Sequence, residues 1–184
     1  MISQRILRLS IYHYFNPDKP ESEVYEFATN DHAVKAVKIH QQHGLLGYSL
    51  VSYDTLSAFV RYGALSNGNS SLNIQVYAPK RAQKLLFDWK EKFNRNWVLE
   101  DYDAAVEFYF KDFDSMNAIA QDPGFHRLQQ EELPFIDQNR PPKATFGWVE
   151  AYIVDGKIVN IKDDRSTFPP FKQLADIVYP GVSE

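Results

Sequence analysis

Apolar and polar residues alternate from Ile6 to Phe15, with Leu7, Leu9, Ile11, His13 and Phe15 on one side and Arg8, Ser10, Tyr12 and Tyr14 on the other. That two-residue period predicts a β-strand. From Glu21 to His43 the pattern turns helical, with Pro20 and the acidic Glu21, Glu23 and Glu26 at its start and Gly44 as its stop. Thr29 to Asp31 are placed to interrupt it. At about 100° per residue, Ala33, Ala36, Val37 and His40 share a face, with Val34 near one edge and His32 and His43 near the other. Leu45 to Tyr53 reads as a second strand. The order then repeats: a strand from Tyr102 to Phe110, a helical region from Asp114 onward that includes His126, and a closing strand from Phe146 to Val154. Together these predict an α+β, ferredoxin-like β-α-β-β-α-β unit.

Between the second and third of these strands, residues 56–99 are too long for a simple connection and call for structure of their own. Leu65 to Ser71 reads as a loop, Leu72 to Tyr77 as a short strand, and Pro79 to Asn94 as a helix whose Leu85, Trp89 and Phe93 recur every four residues. That apolar stripe is expected to pack against the main domain or to serve as a lid or dimer element. After Gly156 the prolines and aromatics describe an extended tail, about 160–184, anchored by Phe168, Phe171 and Tyr179.

Both faces of the first strand carry large groups, so the sheet is expected to have helices on one side and a second buried surface on the other. On the closing strand, Gly147, Val149, Ala151 and Ile153 form a small apolar face suited to helix packing. Phe146, Trp148, Glu150 and Tyr152 form a bulky face that needs a partner. A second copy of the sheet is the simplest one, which predicts a two-fold homodimer.

With 184 residues, 44% hydrophobic and 15% aromatic, the chain can bury one sizeable core and is read as one domain, 1–184. Its net charge of -4 with dispersed Lys and Arg leaves no footprint for nucleic acid. No signal-peptide pattern opens the chain, and no run reaches the roughly eighteen apolar residues of a membrane span, so no membrane partner and a cytoplasmic location are expected. The absence of cysteine removes thiolate nucleophiles and sulfur-ligated metal sites. His40 and His43 are three apart, but no carboxylate is placed to complete a metal site. No phosphate-binding glycine loop and no nucleophile elbow occurs. What remains is proton-transfer chemistry without cofactor or metal.

The run from Asp31 to Lys38, ending at Gly44 and leading into Leu45 to Tyr48, resembles the helix-to-strand pattern of EthD-domain proteins. That pattern is approximately His-Ala-Pro-Leu, then Pro-Gly, then a strand opening on an apolar residue and an aromatic. Tyr102 and Asp103, Val106 to Phe110, Asp122 to Phe125 and Glu131-Glu132 extend the likeness to about two thirds of the chain. Val34 stands where the family has proline, His43-Gly44 replaces its proline-glycine, and the 56–99 insertion is longer than usual. The resemblance implies a dimeric α+β barrel and a pocket between sheet and helices served by His or Tyr. The fold does not choose the reaction, since its superfamily hosts cyclases, decarboxylases, cofactor-free oxygenases and haem-handling proteins.

His32 matches the family's motif histidine and is the first candidate for general acid and base, against a role limited to capping or packing the helix start. His13, among apolar neighbours, serves as a base or simply hydrogen-bonds a neighbour. Tyr48, the family's strand aromatic, is preferred over Tyr53, which alternation places on the other face. Glu107 and Glu150 lie between hydrophobic neighbours and are candidates for raised pKa or for contacts across a dimer seam. Tyr12, Phe108, Phe125, Trp148 and Tyr152, with Glu150, are the candidate substrate contacts. The leading expectation is a cofactor-independent lyase or cyclase acting on an aromatic or polyketide-type intermediate by decarboxylation, dehydration or aldol closure. The alternatives are cofactor-free oxygenation of an anthrone-like phenol, a non-catalytic binding dimer, and a haem protein using His32, His40 or His126.

Overall fold

A computed structural model describes residues 5–52, 72–77, 80–154 and 156–170 of the chain. A five-stranded sheet carries the fold, in the order β3-β2-β4-β1-β5. Its strands are β1 (Ile6–His13), β2 (Gly47–Ser52), β3 (Leu72–Tyr77), β4 (Ala104–Phe110) and β5 (Lys143–Val149). All neighbours are antiparallel except β2 and β3, which run parallel. The helices are α1 (Glu21–Glu26), α2 (Ala33–Gln42), α3 (Lys80–Lys92), α4 (Phe113–Ala120) and α5 (Pro123–Glu132). The architecture is thus mixed α/β, with an α+β order in which β3 and α3 stand between β2 and β4.

Residues 21–42 are helical throughout, yet not as one α-helix, because Phe27–His32 forms a π-helical segment between α1 and α2. The expected interruption at Thr29 to Asp31 is therefore a widening of the helix and not a break in it. Thr29 Oγ1 donates back to the Tyr25 carbonyl at 2.7 Å within this stretch, and such bulges are frequent at functional sites. Gly44, at φ +71°, ends α2 in the left-handed conformation that glycine adopts without strain.

The core lies between the helices and one face of the sheet, where Leu7, Tyr48, Val106, Phe108 and Phe110 meet Ala33, Ala36, Ile119 and Leu128. Asp112 caps α4 by accepting from the Ser115 amide at 2.9 Å. Asp122 caps α5 through the Gly124 and Phe125 amides and also takes His43 Nε2 at 2.7 Å, so the end of α2 is tied to the start of α5.

Three expectations are corrected by this packing. β5 ends at Val149, and residues 153–166 form two short hairpins, β6 (Ile153–Val154) with β7 (Lys157–Ile158) and β8 (Ile161–Lys162) with β9 (Arg165–Ser166). The faces of β5 are also reversed: Phe146 and Trp148 meet Phe113 of α4, with ring centroids 5.9 and 6.2 Å away. Gly147 and Thr145 therefore share the opposite face with Arg8 and Ser10. The apolar side chains of α3 do not pack on the domain either, since Trp89 is 60% and Phe93 49% exposed. Phe168 is buried near Arg5 and Tyr152, whereas Tyr53, Phe171, Tyr179 and the loop from Leu65 to Ser71 lie outside the described residues. None of the described helices is long and apolar enough to cross a membrane.

Candidate active site

Strand alternation sends His13, at the end of β1, to the helix face with Leu7, Leu9 and Ile11. The π-helical turn delivers His32 to the same space, and Glu132, the last residue of α5, enters it from a third element. These side chains share a pocket with Phe15, Val24, Phe27, Ala28, Ala104, Val106, Phe135 and Ile136. Phe27 and Phe135 stack along one wall, with centroids 3.8 Å apart and planes 3° from parallel. A Phe15 to Ile136 bridge joins two of the segments that line the pocket.

Two ring nitrogens of this pocket lack partners. His13 Nδ1 and His32 Nδ1 are buried with no hydrogen bond, as are His40 Nδ1 and the Tyr48 hydroxyl. Buried polar groups are normally paired, and four unpaired atoms in one region carry a desolvation cost that packing alone does not explain.

Electrostatics separates the groups by role. Burial, reinforced by the nearby His32, pushes His13 down to about 4. Burial also lowers His32, but Asp31 and Glu131 work against that shift and favour its charged form. Burial raises Glu132 to about 7. At neutral pH both imidazoles are therefore neutral while the carboxyl keeps a substantial protonated fraction. Such an arrangement of titratable groups pushed apart is how acid and base roles are divided.

Behind the pocket, His40 is 2% exposed and packs its ring against Tyr48, Phe108 and Phe125. Its pKa falls to about 4, from burial and then from His32 and His43. Burial, and then the charge of Glu132, raise that of Tyr48. Tyr48, Phe108 and Phe125 thus sit in the aromatic core and are not part of the pocket lining.

The remaining sequence candidates lie elsewhere. Glu107 is on the opposite face of the sheet, where it accepts from Ser10 at 3.1 Å, Ser49 at 3.5 Å and Tyr109 at 2.7 Å. Tyr12 shares that face and meets Tyr102, with centroids 4.7 Å apart. Trp148 is beneath α4. Glu150 accepts from Arg5 Nε at 2.6 Å and from Tyr152 at 2.6 Å. The Tyr152 hydrogen bond and Arg5 lower its pKa, the reverse of the expected rise. His126 is exposed, its Nε2 2.7 Å from the Ala120 carbonyl oxygen. Among the described residues, no cluster of three or more His, Cys, Asp or Glu is placed to hold a metal ion.

Sequence reasoning missed Glu132. The signal available was its position at a helix end, followed by Leu133, Pro134 and Phe135, but only the fold shows that this end turns inward.

Comparison with known proteins agrees with the fold. The EthD domain model matches residues 16–139. A protein of Aspergillus terreus (strain NIH 2624 / FGSC A1156) named "Putative oxygenase" is 31% identical over 169 residues, covering 92% of this chain and 89% of the relative. The "Conidial pigment biosynthesis dehydratase EthD" of Metarhizium robertsii is 24% identical over 159 residues, covering 85% of this chain and 91% of the relative. "Dehydratase aurZ" of Gibberella zeae is 24% identical over 152 residues, covering 82% of each. With a family model spanning more than half of its length and a relative of that identity and coverage, the chain belongs to the EthD-domain family.

Proposed function

We propose that the chain is a cofactor-independent lyase of the lyase/cyclase type, removing water from an aromatic or polyketide-type intermediate of secondary metabolism. One observation carries the reading: His13, His32 and Glu132, from three separate elements, line one aromatic-walled pocket, and the imidazole Nδ1 atoms have no internal partners. His32 is the base, because Asp31 and Glu131 support its cation. His13 is a poor proton holder beside it and instead donates a hydrogen bond to a substrate carbonyl. Phe27, Phe135 and Phe15 bind the flat ring system. The names of the Metarhizium and Gibberella relatives favour dehydration over the other lyase reactions.

The protein works as a homodimer in this reading. The exposed Leu85, Trp89 and Phe93 of α3, unusual for a lone soluble chain, support it. The deciding experiment is incubation with bicyclic β-hydroxy ketones, following loss of one water by mass spectrometry. Full turnover in His32→Ala would sink the assignment.

A second reading, favoured by the name of the Aspergillus relative, is cofactor-free oxygenation of a phenol deprotonated by the same histidine. Substrate-dependent oxygen uptake separates the two.

A further inference from the structure

Charged side chains are distributed unevenly around the pocket. Among the described residues, three ionisable side chains, His13, His32 and Glu132, line it, and no Lys or Arg does. Two lysines come near its rim, and carboxylates outside hold both. Lys35, whose charge reaches His32, lies 2.9 Å from Asp31 and 2.7 Å from Glu131. Lys19, with its ammonium 5.0 Å from the Phe135 ring centre, is paired with Glu23.

A carboxylate entering this space would leave its hydration shell and find no fixed cation among the described lining residues, which costs several kcal/mol unless it or an imidazole picks up a proton. It would also meet Glu132, whose ionised fraction repels it. The hydroxyl and ketone of a neutral molecule face no such penalty. Imidazole N–H and carboxyl O–H groups supply donors, and the unpartnered Nδ1 atoms supply acceptors.

Building on the lyase reading above, we infer that the substrate of this pocket is an uncharged, flat β-hydroxy ketone, and that its β-keto acid counterparts are excluded as carboxylates. The step it undergoes balances without any co-reactant. His32 takes the proton from the carbon between the ketone and the hydroxyl-bearing carbon, and that electron pair becomes the new C=C bond as the C–O bond breaks. Glu132 gives its proton to the departing hydroxyl, which leaves as water. The proton on His32 then passes to the Glu132 carboxylate, restoring both groups.

The test compares three probes on the intact protein by titration calorimetry and turnover at neutral pH. They are a hydroxytetralone-type β-hydroxy ketone, the same ring bearing a carboxylate between ketone and hydroxyl carbons, and the methyl ester of that acid. The ester matches the acid in shape without its charge. The expected result is that ketone and ester bind and the acid binds at least about tenfold more weakly than its ester. The gap should close as the pH falls through the probe's own carboxyl pKa.

Acid binding as tight as the ester would overturn the inference while leaving the acid–base reading in place. Failure of all three to bind would overturn both. As a check on placement, Glu132→Gln should bind the ketone normally and lose water-forming turnover. Unchanged turnover in that variant would remove Glu132 from the step.

Discussion

Phe27 lies flat against Phe135, centroids 3.8 Å apart, so that the π-helical turn before α2 and the 3₁₀ turn Leu133–Phe135 after α5 close one wall of the pocket. Each residue belongs to an irregular segment: the first ends on His32, and Glu132, the last residue of α5, stands immediately before the second, both lining the same space.

That stacking should be measurable. In a double-mutant cycle of Phe27→Ala and Phe135→Ala, chemical denaturation is expected to give a coupling of about 0.5–1.5 kcal/mol. Strict additivity would show that the two rings do not hold the wall together.

For catalysis, His32→Ala and Glu132→Gln are each expected to lower dehydration by a factor of about 10²–10⁴. In the wild type kcat/KM should follow a bell. Its alkaline limb reflects loss of the Glu132 proton near 7, and its acid limb lies below the ordinary imidazole value of 6.5. In Glu132→Gln the alkaline limb should vanish from whatever activity remains, and its persistence would point to another acid.

Stability should respond to the same groups. The folded pKa of Glu132 is raised from 4.5 to about 7, so its contribution is complete below 4.5 and is lost as the pH rises through about 7. Glu132→Gln is therefore expected to gain stability over the wild type above neutral pH, on the order of a few kcal/mol. His13 and His40 have the opposite sign: with folded values of about 4 against 6.5, they withdraw stability as the pH falls through that range. Urea midpoints measured across pH check both.

Asp122 joins α2 to α5, and its hydrogen bond from His43 holds its carboxyl below the usual range. Its contribution is present above the ordinary carboxylate pKa and is lost as the pH falls through the depressed one. Asp122→Ala should lower Tm at neutral pH and show a smaller loss in acid, as read by differential scanning calorimetry. Equal losses at both pH values would mean that the charge is not what matters.

If α3 lies in a dimer interface, native mass spectrometry should show a dimer that Trp89→Glu with Phe93→Glu converts to monomer while leaving the far-UV circular dichroism spectrum unchanged. A dimer unaffected by both substitutions would move the interface away from α3.

Much of the order of elements was legible in the chain. Alternation in Leu7 to His13, the helical stripe Ala33, Ala36 and His40, and the stop at Gly44 depend on periods of two and 3.6 residues and on the left-handed conformation open to glycine. These are local properties. The sequence likewise placed His13 and His32 among the candidates, because an imidazole among apolar neighbours stands out without any fold.

Other assignments depended on neighbours that the sequence cannot supply. Alternation divides β5 into two faces but does not say which one meets a helix, and the bulky face, Phe146 and Trp148, proved to lie under α4. Glu107 and His13 differ in the same way: both sit on strands amid apolar residues, and only the pairing of Ser10 with Glu107 puts the carboxylate on the far side. Glu132 is one acidic residue in a polar helix until the fold turns the end of α5 toward β1. Local pattern is set by the backbone's own geometry, whereas burial, pKa and shared cavities arise between segments far apart in the chain. The sequence alone therefore determined the order of most elements and named the two histidines as candidates, and only the tertiary structure decided which groups meet them.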